Sequence, residues 1–207
     1  MNKKLSIFIG FFMLFGASLM TAQAQNTSIG LRAGLNFANI SGDGVSNTKM
    51  KVGPNFGALL TYSVASTFGI TGEINFTSKG NKYDNSDATS SINYMEIPIY
   101  GAYYFGTAES TLRPKIFAGP AVGILMTAKS EAGGVEVDTK DFVEPVEFGA
   151  VFGIGFNKRV GDGNWICVDA RYNLGLTDTV KDNPTDNMVK NNVISLNLAY
   201  TFPLGNN

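Results

Sequence analysis

The sequence predicts an all-β fold: an eight-stranded antiparallel up-and-down transmembrane β-barrel with short periplasmic turns and four longer outer loops. Three observations predict it. Eight stretches alternate apolar and polar residues with a period of two, the mark of strands with one apolar and one polar face. The connections between those stretches alternate long and short. An export signal precedes them all.

Residues 1–24 read as a cleaved signal peptide. Lys3 and Lys4 open it, Leu5 to Met20 form its apolar core, and Ala22-Gln23-Ala24 is a small-residue cleavage site. A membrane-anchoring helix is the competing reading, but the run is short and ends in small and polar residues rather than a stop-transfer pattern. Residues 25–207 are then the outer-membrane barrel domain. The 24 glycines and 12% aromatic content suit strands, tight turns and an interfacial girdle.

Strands are expected near 28–39, 51–63, 67–79, 91–105, 112–127, 141–157, 164–175 and 191–202. In the first, Leu31, Ala33, Leu35 and Phe37 oppose Arg32, Gly34 and Asn36. In the last, Ile194, Leu196, Leu198, Tyr200 and Phe202 oppose Ser195, Asn197, Ala199 and Thr201. The sixth carries Phe148, Phe152 and Phe156 at a spacing that would also make a helical stripe; Gly149, Gly153 and Gly155 argue against a helix. Those glycines are expected to make room for Arg and Tyr side chains or to ease bending of the sheet. Connections 40–50, 80–90, 128–140 and 176–190 are long and polar, and 64–66, 106–111 and 158–163 are short. Gly161-Asp162-Gly163-Asn164 has hairpin-turn chemistry.

Sorted by parity, the apolar face carries no charge. The other face carries Arg32, Glu73, Lys79, Glu96, Lys115, Glu147, Asp169 and Arg171, besides Lys51 at a strand end. Parity does not say which face is inside. The signal, and apolar faces too bulky for an eight-strand interior, favour a polar lumen. Four bases and four acids then suggest a salt-bridge plug, since a charge in a narrow lumen must be paired. A polar channel is the functional alternative. Tyr62, Phe68, Tyr103, Phe105, Phe156, Tyr200 and Phe202 gather at the expected periplasmic ends as an aromatic girdle.

Catalysis finds little to work with. There is no histidine, so Ser-His and Cys-His chemistry are excluded, and so are His metal sites. The single cysteine, Cys167, permits no internal disulfide and reads as a small packing residue. Glu131, Glu136, Asp138, Asp141 and Glu144 could bind calcium weakly, but no twelve-residue calcium loop is present. A carboxylate-pair hydrolase stays formally open. The formal charge is −1, or −3 without Lys3 and Lys4, which is too mild to suggest nucleic acid. No cofactor is expected.

Several motifs carry a family resemblance. They are Ile29-Gly30-Leu31-Arg32-Ala33-Gly34-Leu35-Asn36-Phe37-Ala38-Asn39-Ile40, Gly72-Glu73-Ile74-Asn75-Phe76 through Lys79-Gly80, Tyr94-Met95-Glu96-Ile97-Pro98-Ile99-Tyr100, Gly119-Pro120-Ala121-Val122-Gly123, and Asp169-Ala170-Arg171-Tyr172-Asn173-Leu174-Gly175-Leu176. In this order they resemble the PorT-like outer-membrane β-barrel family of Bacteroidota, often labelled porin-like. The resemblance implies an eight-strand barrel in the outer membrane. The family's named member is linked to type IX secretion, a role that shared structural motifs do not transfer. Pro203-Leu204-Gly205-Asn206-Asn207 after Phe202 depart from the usual aromatic ending, which puts the expected insertion signal at Tyr200 to Phe202.

Three functional readings follow. The first is a structural or binding barrel with a filled lumen, recognition resting with its outer loops. Its expected partners are outer-membrane lipid, the barrel-insertion machinery, and an external ligand or secretion-apparatus component of unknown identity. The second is a narrow porin-like passive channel. The third is a soluble periplasmic lipocalin-like carrier.

Overall fold

The computed structural model describes residues 27–42, 45–84, 86–107, 109–161, 163–183 and 188–204. The expected signal segment, Asp162 of the tight turn and the end of the C-terminal tail lie outside the described residues. The strands are β1 (Thr27–Ser41), β2 (Thr48–Ala65), β3 (Phe68–Tyr83), β4 (Thr89–Tyr104), β5 (Leu112–Ala132), β6 (Val135–Asp138), β7 (Val146–Val160), β8 (Asn164–Gly175) and β9 (Lys190–Pro203). All pairings between them are antiparallel. β1 pairs with both β2 and β9, and β5 with both β4 and β7, so eight strands close into a barrel. Closure leaves the barrel no free edge. β6 stands outside the ring, folded back on β5.

Side-chain alternation is the cause of this arrangement. Along β1, Leu31 is 69% exposed and Arg32 5%. The same reversal runs round the wall: Ile74, Phe148, Ile154 and Leu198 point outward, while Glu73, Glu147, Asp169 and Asn197 are buried. Large apolar side chains facing out and charges facing in suit a hydrocarbon surround and oppose a lipocalin-like carrier, whose interior is apolar. All seven expected girdle residues lie on the outer face near the short turns or chain ends. Tyr103 and Phe105 there meet edge to face at 5.1 Å.

The ladders run further than parity indicated. The stretch 128–140, read as a loop, is instead a hairpin: β5 continues to Ala132, and β6 pairs Glu136 with Glu131 and Val137 with Ser130. Gly133 and Gly134 turn it with φ of 58° and 79°, which a β-carbon would oppose. The sixth barrel strand, expected from 141, begins at Val146. Pro145 has no N–H for the ladder, and Lys140–Phe142 form one 3₁₀ turn. Polar pairs such as Lys49↔Lys82 and Asn81↔Ser90 also extend β2, β3 and β4 outward. As a result the outer connection 84–88 is shorter than the periplasmic connection 105–111. The long-short contrast survives mainly as overhanging strands.

Candidate functional site

The lumen charges form two clusters, separated by a layer of amides. The first is centred on Glu73 of β3, whose side chain is fully buried. Arg32 of β1 reaches it through Nη1, and Arg171 of β8 donates Nη1 to Oε2 at 3.0 Å. Tyr100 Oη donates to Oε1 at 2.6 Å, and Asn75 Nδ2 to Oε2 at 2.8 Å. Arg171 also grips Asp169 with Nε at 2.8 Å and Nη2 at 3.1 Å. Asn197 Nδ2 donates to Asp169 Oδ1 at 2.9 Å. Lys115 Nζ stands 4.0 Å from Asp169. Thus Arg32, Glu73, Lys115, Asp169 and Arg171 share one site, with charge-assisted hydrogen bonds doing most of the pairing.

The aromatic floor beneath Arg171 follows from a glycine. Its guanidinium lies 5.0 Å from the Phe117 ring centre, and Phe117 packs on Tyr100 at 4.7 Å. A β-carbon on Gly153 would sit 2.1 Å from the Phe117 ring. Gly153 therefore makes room for a phenylalanine, rather than for the arginine or tyrosine expected, and the phenylalanine supports the arginine.

The second cluster lies nearer the outer loops. Lys79 Nζ bridges Glu147 at 2.5 Å and Glu96 at 2.6 Å. Asn191 Nδ2 donates to the free oxygen of Glu147 at 2.5 Å, and Asn173 Nδ2 to Glu96 at 3.3 Å. Between the clusters, Asn55 donates to Asn36, which donates to Thr77 at 2.7 Å. Lys51 is not a strand-end residue. It is buried within β2 and donates to Ser78 Oγ at 2.9 Å and to the Lys79 carbonyl at 3.2 Å. The eight charges that patterning places on the inward face lie in these two clusters, and their neutral partners are not among them, because asparagine and tyrosine at inward parity carry no distinguishing signal.

Cavities follow this filling. The two described in the middle and outer lumen are ≈ 10 Å³ each, about one water apiece. A larger one of ≈ 90 Å³ opens among Arg113, Trp165, Thr61 and Asn157 near the short turns. Cys167 sits buried there against Leu59 and Ala199.

The model of the family described as "Outer membrane protein beta-barrel domain" matches residues 22–181. The chain belongs to this family. It is a small outer-membrane β-barrel protein. Among solved structures it is similar to Neisserial surface protein A (NspA), at 15% identity and a TM-score of 0.57, covering 86% of this chain and 97% of that one. It is also similar to Ail, the attachment invasion locus protein of Yersinia pestis, at 16% identity and 0.49, covering 86% and 100%. The N-terminal β-barrel domain of Pseudomonas aeruginosa OprF gives 13% and 0.47, covering 86% and 98%. At these identities the likeness is one of fold. No curated protein matches the chain.

Above the barrel of this outer-membrane protein, two connections are tied together. Val143 bridges Val180, Glu144 N–H donates to the Thr179 carbonyl at 2.9 Å, and Lys181 N–H to the Phe142 carbonyl at 3.0 Å. The tie leaves Val135, Val137, Phe142 and Met188 more than half exposed on the outer surface. The acidic loop residues are engaged locally: Glu136 pairs with Lys129 at 2.6 Å, and Asp138 accepts from the Lys140 N–H. Among the described residues no three acids, cysteines or histidines gather as a metal site.

Asp178 pins the last outer loop. Its carboxylate accepts from the N–H groups of Val180 at 3.0 Å and Val189 at 3.1 Å, and from Asn183 Nδ2 at 2.8 Å. Partial burial pushes the carboxyl up, but these donors outweigh it and hold it below its ordinary value. Because the folded value is depressed, the pinning is present at neutral pH and is lost as pH falls below the ordinary carboxylate range. Asp178→Ala should therefore raise tryptic cleavage at Lys181 several-fold at neutral pH in the folded protein. Unchanged cleavage would mean the loop is held by other contacts.

Proposed function

We propose that this barrel serves as a structural or binding protein of the outer membrane, its lumen closed by paired charges and its recognition carried by the outer loops. The observation that carries the reading is the filled cross-section. From Glu73 to Glu147 the lumen is occupied by hydrogen-bonded ions and amides, and the two cavities described among them hold about one water each; the larger cavity reaches Glu73 from the short-turn end. An eight-strand interior is just wide enough for side chains to fill. The tied loops, with Phe142 and Val137 exposed beside them, supply an ordered surface for an external ligand or partner. Lipid against the apolar wall, and insertion machinery acting on the C-terminal strand at Tyr200 to Phe202, belong to the same reading.

The PorT-like affiliation is part of the proposal and rests on the ordered motifs from Ile29 to Leu176. So does the division into an export signal at 1–24 and a mature domain at 25–207, which rests on the Ala22-Gln23-Ala24 site. No catalytic residues are assigned. Planar-bilayer recording of the refolded protein tests the closed lumen: no steady conductance is expected. A large, stable single-channel current would overturn the reading in favour of the passive channel.

A further inference from the structure

We propose that the ≈ 90 Å³ cavity at the short-turn end of the lumen is a binding site for a small monovalent anion, of about chloride size. The first argument is charge. Arg32, Arg113, Lys115 and Arg171 line the cavity against Glu73 and Asp169, leaving two cations in excess. Arg32 and Arg171 are committed to those acids. Lys115 is not held so firmly. Its side chain is 7% exposed, and 4.0 Å from Asp169 is beyond hydrogen-bond reach. Asp169 already accepts from Arg171 and Asn197.

Arg113 forms no ion pair among the described residues. One of its terminal nitrogens donates to the Ser66 carbonyl. Its Nε is buried without a hydrogen-bond partner, and so is the Nε of Arg32, a residue 5% exposed that lines the same cavity. Tyr104 at 4.8 Å from Arg113 and Phe117 at 5.4 Å from Lys115 offset part of the charge, but a ring quadrupole does not neutralise a cation. Lys115 is a buried cation without a hydrogen-bonded acid, which is costly unless a counter-ion joins it, and the half-buried Arg113 adds a second positive charge at the same wall. The hydroxyls of Thr61, Thr71 and Thr201 also line the space; Thr61 and Thr71 hydrogen-bond each other at 2.8 Å, which leaves at most one of that pair, with Thr201, to donate to an anion.

The second argument is size and access. The cavity has room for one such ion with a water or two. Ser63 and Trp165, at the ends of β2 and β8, line it, so it faces the periplasmic side. The acids in its wall disfavour a dianion. This site needs no open lumen, so it stands or falls independently of the proposed function.

Trp165 is the chain's single tryptophan and lines the cavity, which gives a direct readout. Iodide quenches indole fluorescence on contact. Titrating iodide into the folded full-length barrel in neutral detergent, at constant ionic strength with gluconate, should give quenching that saturates and that chloride competes away. Lys115→Met should raise the half-saturation concentration roughly tenfold, the loss expected for one charge-assisted contact. Lys129→Met, which removes an exposed lysine of the outer hairpin, should leave it unchanged. If Lys115→Met fails to give a heat-modifiable folded band, Arg113→Gln makes the same test. Linear quenching without saturation, or saturation unchanged by Lys115→Met and Arg113→Gln, would overturn the assignment.

Discussion

Replacing Glu73 with glutamine is expected to destabilise the barrel by about 3–5 kcal/mol, the usual cost of removing one partner from a buried ion pair. Glu73 is the acid shared by Arg32 and Arg171. The variant keeps nearly the same shape, so little of the loss comes from packing. Arg171 retains Asp169. Arg32 makes no second ion pair among the described residues; Asp169 acts on it only through space and is already gripped by Arg171, and the Arg32 Nε lacks a hydrogen-bond partner. The variant therefore strands a buried guanidinium. Tyr100 and Asn75 lose a charged acceptor at the same time. Urea titration of the refolded protein, followed by the heat-modifiable gel shift, measures the effect. The double variant Glu73→Gln/Arg32→Met should recover more than half of the loss, because it removes the stranded cation with its acid. A Glu73→Gln loss below about 1 kcal/mol would mean that water reaches the pair and screens it.

This expectation depends on a face assignment that alternation left undecided. Parity sorts residues into two sets wherever one face is apolar, as at Leu31/Arg32 or Ile74/Glu73. It goes silent where both faces are polar. Lys49, Lys82 and Asn81 therefore carry no strand signal in the sequence, yet they are ladder residues in the structure. Backbone pairing continues past the apolar band because it needs partners, not hydrophobicity. The outer hairpin could have been found: Gly133-Gly134 sits between Ser130-Glu131-Ala132 and the alternating Val135-Glu136-Val137-Asp138, a two-residue turn signal. The composition of 128–140 hid it, since acids and glycines suggest loop. Within the lumen, spacing located the ions but not their grouping. Asp169 and Arg171 are two residues apart and easily linked, whereas Arg32–Glu73 and Lys79–Glu147 join residues far apart in the chain. Such pairs depend on strand register and on the curvature that brings opposite walls together. Neither quantity is written in a single strand.

The second large effect separates two lysines that the sequence makes look alike. Lys51 and Lys79 both face the outer lumen and are both buried. Lys79 bridges Glu96 and Glu147 at 2.6 and 2.5 Å. Lys51 meets a hydroxyl and a carbonyl, with no acid among its described contacts. Methionine at position 79 keeps much of the side-chain volume and removes the charge. It leaves two buried carboxylates facing each other, each with one amide donor from Asn173 or Asn191. A loss of about 3–5 kcal/mol is expected. Methionine at position 51 removes two hydrogen bonds but also an unpaired buried cation, and these oppose each other, so a change within about 1 kcal/mol is expected. The same substitution at two buried lysines should thus differ by several kcal/mol in one urea series. Adding Glu96→Gln and Glu147→Gln to Lys79→Met should restore much of the stability, because a neutral, hydrogen-bonded lumen has no charge left to solvate. Equal small losses at both lysines would show the outer lumen to be hydrated and would weaken the closed-lumen reading. Equal large losses would show that packing of the lysine stems, not ion pairing, holds this part of the barrel.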